Sequence, residues 1–276
     1  MDKQQERQQL SMHWPYLITA GICLWVMGFS ENARGPLYPD ILRSLHLNDT
    51  EGGAMFAASC MGTAIGGPLF RLLVSRIHAI RCMQYGLVIA SLGLYMTAIT
   101  QSLWVLLIAS LIYGTGAGGL GLIQNIMVKQ GASLERRRQA LAGLHSIYGL
   151  ASLMAPLGVR ALASISFDWR DTLILFAVIP IIMGIILQGV RPLPSTEDSI
   201  QPQPVSLRFR YRQLKIGLVV GGAVTAELAI STRLVALLER SGYDPDGAAL
   251  GLAAFFLCLL LGRLGFGVFP LQISNR

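Results

Sequence analysis

Eight apolar segments, each near the length of about 20 residues that lets a helix cross about 30 Å of hydrocarbon, leave this chain few ways to fold. They run approximately Trp14–Ala33, Gly53–Val74, Cys82–Ile99, Leu103–Met127, Leu141–Leu162, Asp171–Leu187, Leu214–Leu238 and Ala248–Val268. Inside a bilayer each backbone N–H and C=O must find its partner within the protein, so segments of this kind become helices packed side by side. The expected fold class is all-α, a polytopic membrane helix bundle. Composition agrees: 53% of the residues are hydrophobic and 13% charged, against about 25% charged in soluble domains.

The formal net charge of +7 raises nucleic acid as a partner. The basic residues, however, are spread between apolar segments instead of being gathered on one face with aromatic stacking groups, which excludes that class. The lipid bilayer is the partner they fit. Lys and Arg concentrate at the N-terminus and in the connections after segments two, four and six, for example Arg76, Arg81, Lys129, Arg136, Arg137, Arg138, Arg208, Arg210 and Arg212. Because such residues are retained on the cytoplasmic side, the N-terminus is expected there, in a bacterial inner membrane. The first ten residues are too polar for a cleaved leader, so the first segment is expected to stay. Cys23, Cys60, Cys82 and Cys258 form no CxxC or metal-ligand spacing and read as small core residues; no metal or cofactor is expected.

Three regions follow: a six-helix bundle over 1–188, a cytoplasmic linker over 189–213 carrying Pro192, Pro194, Pro202 and Pro204, and a partial bundle of two helices over 214–276. The division suggests an internal repeat. A shift of 195 residues lays Glu51-Gly52 over Asp246-Gly247 and brings Glu31 within one residue of Glu227. Two carboxylates at equivalent depth are notable because a charge at the centre of a membrane helix costs about 2.5–3.5 kcal/mol and usually serves proton, ion or substrate work.

At 1.5 Å per residue Glu31 lies about 25 Å along the first segment, in its outer third beside Asn32 and Arg34, where either a cavity or an interface role is open. Glu227 lies about 20 Å into the seventh segment with Ser231 one turn on. His145 and Tyr148 share a face of the fifth segment, and Asn125 lies at similar depth on the fourth. Such a cluster binds substrate, relays protons or bridges helices through hydrogen bonds. Arg233 is expected to snorkel to the headgroups. Gly62 with Gly66, and Gly114 with Gly118, have the spacing that lets two helices approach closely. There is no HExxH and no nucleophile elbow, so no enzyme is expected.

Gly28-Phe29-Ser30-Glu31, the run Gly114-Thr115-Gly116-Ala117-Gly118 leading to Asn125, and Leu144-His145-Ser146-Ile147-Tyr148-Gly149 together resemble the major facilitator superfamily, and within it the fucose:proton symporter type. That resemblance implies a secondary transporter that moves a small solute, a sugar or other small metabolite, by alternating access. The resemblance would place the Glu31 carboxylate in the central cavity and the family's span-four Asn and span-five His at Asn125 and His145. Taken with depth and spacing, Glu31 and Glu227 are the candidates for proton coupling, and Asn125, His145, Tyr148, Asn32 and Ser231 for contact with the small-molecule substrate. Departures are visible: Ser75 and His78 stand where the family carries an Asp and Gly pattern, Gly121 replaces an acid before Asn125, and Ser110 replaces an arginine. The resemblance also implies twelve helices. The chain therefore reads as lacking the last four, leaving a second possibility: a truncated non-transporting membrane protein, or a subunit needing a partner chain for the missing helices.

Overall fold

The computed structural model describes residues 12–193 and 207–268, and among them all regular structure is helical. Six long helices come first: α1 (Trp14–Leu45), α2 (Asp49–Val74), α3 (Ala79–Ile99), α4 (Leu103–Gly131), α5 (Arg137–Ser164) and α6 (Trp169–Ile186). After the undescribed stretch 194–206 follow α7 (Leu207–Ser231), the short α8 (Leu234–Arg240) and α9 (Pro245–Val268). The chain alternates direction, so the starts of α1, α3, α5 and α7 share one face of the bundle, called here the N-terminal face. The backbone bond from His13 N–H to Gly131 O, 2.7 Å, pins the start of α1 to the end of α4 on that face.

Seven helical stretches among the described residues are long and apolar enough to span a membrane, and α1 is not one of them. α1 is the longest described helix at 32 residues. Residues 14–30 carry no charge and turn Trp14, Ile18 and Ile22 outward, while Tyr16, Cys23, Ala33, Tyr38 and Ile41 are buried. The sequence reading ended this helix at Ala33, yet it runs on through Pro36 and Pro39. Proline's fixed φ suits a helix; its cost is the missing N–H, here opposite the Asn32 and Gly35 carbonyls. Packing of the buried Leu37, Ile41 and Leu42 offsets that cost. Glu31 consequently lies about 25 Å into a helix of about 48 Å, at its middle and not in the outer third.

α2 packs on α4 through the glycine pairs read in the sequence. A Cβ at Gly62 would strike the Leu111 carbonyl, at Gly66 the Thr115 carbonyl, at Gly114 the Ser59 carbonyl and at Gly118 the Thr63 carbonyl. α3 packs on α6 through side-chain bonds to backbone, Gln84 Nε2 to Gly184 O at 2.9 Å and Ser91 Oγ to Ala177 O. The starts of α2 and α6 are set by capping boxes, Asn48 with Glu51 and Asp168 with Asp171.

Two further expectations are corrected here. α7 begins at Leu207, within the stretch read as linker, and the expected single helix Leu214–Leu238 is interrupted at Thr232-Arg233. Thr232 N–H still makes the helical bond to the Leu228 carbonyl at 3.0 Å, but Arg233 N–H shifts to the Ile230 carbonyl at 3.1 Å, the tighter turn at which α7 ends before α8 starts. The cysteines also divide: Cys23 and Cys82 are buried, but Cys60 and Cys258 are exposed and so are not core residues.

Candidate functional site

A cavity of about 1650 Å³ lies between the six-helix bundle and α7. Glu31, Asn32, Asn125, His145, Tyr148, Glu227 and Ser231, the seven candidate residues, all line it. Leu24, Met27, Phe56, Leu120, Val224 and Leu228 supply much of its apolar wall.

Its middle is held by α1 and α5. Tyr148 Oη donates to Glu31 Oε2 at 3.2 Å. Asn32 Nδ2 donates to Ser152 Oγ at 2.9 Å, to the Gly28 carbonyl at 2.7 Å and, more weakly, to Tyr148 Oη at 3.3 Å. Ser152 Oγ in turn donates to the Tyr148 carbonyl at 2.9 Å. The close approach behind these bonds needs Gly28, where a Cβ would lie 2.8 Å from the Tyr148 ring. Glu31 is within electrostatic reach of Arg34 and of Glu227 across the cavity. Repeat matching had brought these two carboxylates to one depth, and the structure brings them to one space.

The remaining candidates are placed differently. Asn125 Nδ2 donates to the Gly121 carbonyl of its own helix at 2.7 Å, so that bond makes no bridge from α4 to α5. His145 is exposed on the cavity wall. Ser231 is buried at the end of α7, where its carbonyl lies 2.7 Å from the position of a Cβ on Gly35 of α1. Glu227 sits one turn before the close of α7, not in mid-helix.

Sequence reading missed two members of this site. Arg34 is buried at 7% exposure, its guanidinium carbon 5.1 Å from the Phe56 ring centre and 4.6 Å from that of Tyr113, with Nη1 donating to Ser59 Oγ at 3.2 Å. Gln124, next to Asn125, is buried at 1% and lines the cavity. The signal for Arg34 was its spacing, one turn from Glu31 on an inward-facing stretch.

On the face opposite the N-terminal one, the six-helix bundle and α8–α9 are tied by charge. Arg240 Nη1 and Nη2 each donate to Asp49 carboxylate oxygens at 2.7 Å. Arg43 faces Glu239 at 3.7 Å while also bonding Asp40, and Arg160 Nε donates to Asp246 at 2.6 Å. Arg233, expected to snorkel, reaches the Asp49 carbonyl at 3.5 Å and packs against Gly53. The helix break at Thr232-Arg233 turns it toward α2. Toward the N-terminal face the cavity extends along Gly217, Gly221 and Thr225 of α7, and the described side chains of α7 from Leu214 to Ala226 are exposed.

Known proteins resemble the chain in sequence and in fold. The chain is similar to an uncharacterized MFS-type transporter of Yersinia pestis, 22% identical over 250 residues, which cover 90% of this chain and 64% of that one. It is similar over a shorter stretch to a multidrug efflux pump of Staphylococcus aureus, 28% identical over 135 residues, 48% of this chain and 29% of the pump. The chain thus spans less than two thirds of the length of these relatives. Among solved structures, a bacterial homolog of the human lysosomal transporter Spinster in an inward-facing, unoccupied conformation aligns with a TM-score of 0.72 at 16% identity, covering 95% of this chain and 65% of that one. A D-xylose-proton symporter aligns with a TM-score of 0.70 at 13% identity, covering 94% and 70%. These likenesses concern the fold. The Major Facilitator Superfamily profile itself matches residues 20–272, and by this match the chain, an integral multi-pass membrane protein, belongs to that superfamily.

Proposed function

We propose that the protein is a secondary transporter that moves a small metabolite across the membrane by alternating access, with proton coupling through Glu31 and Glu227. The superfamily consists of transporters and not enzymes. The observation that carries the reading is a single cavity, closed by ion pairs on one face, into which both intramembrane carboxylates and a Tyr148–Asn32–Ser152 network project. Carboxylates inside a membrane bundle are commonly proton relays. Protonation of Glu31 alters its bond with Tyr148 and its interaction with Arg34 and Glu227, which are the groups facing it, and so links proton binding to the two sides of the cavity. Asn125, His145, Tyr148, Asn32 and Ser231 are the proposed substrate contacts. The family resemblance of the motifs supports a sugar or a similar small polar solute.

The N-terminal face is proposed as cytoplasmic, in a bacterial inner membrane, on the distribution of Lys and Arg; in that orientation the ion-paired face is the outer one. α7 exposes Leu218, Val219 and Val224, an apolar surface suited to further helices, whether from a longer polypeptide or from a partner chain. The intact mass of the native membrane species separates these two.

The test of transport is reconstitution in proteoliposomes with an imposed pH gradient and a panel of labelled small metabolites. Gradient-driven accumulation is expected for the wild type. Glu227→Gln is expected to retain exchange across the membrane but lose accumulation. A Glu227→Gln variant with unchanged pH-dependent accumulation would sink the coupling.

A further inference from the structure

Arg34 is a permanent cation set one turn beyond Glu31 at the middle of the cavity. Its guanidinium is clamped between Phe56 and Tyr113 and held at Nη1 by Ser59, at 3.2 Å. Its Nε is buried and has no hydrogen-bond partner. Glu31, one turn before it, is within electrostatic reach, and its carboxylate accepts from Tyr148 Oη at 3.2 Å. A second orphan points the same way. Gln124 Nε2, eleven residues beyond Tyr113 along α4 and hence about 16 Å nearer the N-terminal face, is buried without an acceptor and lines the same cavity. Buried donors without acceptors, above all charged ones, are costly. A helix bundle that keeps two of them around a cavity with apolar walls is complete when a ligand rich in acceptors enters.

We propose that Arg34 anchors an anion subsite, so that the transported metabolite is an organic anion whose carboxylate or phosphate docks on the guanidinium while its uncharged part extends along the cavity toward Gln124. This deepens the transport reading and rests on it. With Nη1 donating to Ser59, Nη2 is left for an incoming carboxylate or phosphate, and a small turn of the guanidinium would bring the buried Nε beside it as the second donor of a two-bond fork. A neutral sugar gains only ordinary hydrogen bonds at the same place.

Cys60, one residue after Ser59 on α2, is exposed and lines this cavity, which permits a test on the unaltered protein. In detergent, alkylation of Cys60 by a small maleimide is followed by peptide mass spectrometry with two matched probe pairs: D-glucuronate against D-glucose, and benzoate against benzamide. The carboxylates are expected to slow alkylation saturably and their neutral counterparts to do so at least about tenfold less effectively, the value of one charge-assisted contact. Arg34→Gln is expected to abolish this preference, and Arg34→Lys to retain part of it. The proposal is overturned if the neutral members protect as well as the carboxylates, if neither carboxylate protects the folded wild type, or if a folded Arg34→Gln variant keeps the preference. Because no bilayer or gradient is used, carboxylate-selective binding without uptake in proteoliposomes would count against transport alone.

Discussion

Asn32 illustrates how much one side chain settles in this fold. Its two N–H groups are shared among the Gly28 carbonyl, Ser152 Oγ and Tyr148 Oη, joining α1 to α5 beside Glu31. Replacement by leucine leaves the Ser152 and Tyr148 oxygens short of a donor in a membrane interior. A loss of about 1–2 kcal/mol in thermal unfolding is expected, at the upper end of values for hydrogen bonds between membrane helices. Tyr148→Phe removes only the hydroxyl; it should unfold near the wild-type temperature yet shift the pH profile of uptake, because the bond it loses is made to the Glu31 carboxylate. Both carboxylates stood out in the sequence because an intramembrane acid is rare, the resemblance pointed to Glu31 as well, and Tyr148 stood out by sharing a helix face with His145. Arg34 was not, because its role depends on Phe56, Ser59 and Tyr113, which are brought beside it by other helices.

Helix pairing obeys the same division between local and distant information. The Gly62/Gly66 and Gly114/Gly118 spacing announced a close contact, and α2 and α4 make it, backbone against backbone. Gly114→Val is expected to cost at least about 3 kcal/mol, as overpacking without room to relax does, and to lower the yield of monodisperse protein in detergent. Gly67→Ala, where nothing lies within 4 Å of a new Cβ, should be neutral or slightly stabilising. The extent of α1 escaped the sequence reading because Pro36 and Pro39 are breakers in isolation, and only tertiary burial shows that the helix continues. The break at Thr232-Arg233 escaped it because the residues on both sides are apolar and no Gly or Pro marks the spot; the backbone tightens there as Arg233 N–H bonds the Ile230 carbonyl, and the Arg233 side chain reaches toward α2.

At the scale of the molecule, charges far apart in the sequence prove to be partners. Asp49 with Arg240, Arg43 with Glu239, and Arg160 with Asp246 close the face opposite the N-terminal one. In a background with Cys60 and Cys258 replaced by serine, the pair Asp49→Cys and Arg240→Cys, bridged by a short bis-methanethiosulfonate reagent that spans the length of the lost arginine side chain, should arrest uptake and recover it on reduction; undiminished uptake by the cross-linked protein would show that this face need not part. The pairs are solvent-exposed, with Arg240 and Asp49 each more than half accessible, and exposed pairs contribute only about 0–1 kcal/mol apiece. A closure built from several weak bonds is one that thermal motion can undo. It also makes the protein a sensor of its surroundings: such attractions fade over a Debye length of about 8 Å at physiological ionic strength and about 3 Å at 1 M, so brine on that side of the membrane should loosen the clasp and alter turnover, whereas the same salt on the other side should leave it untouched.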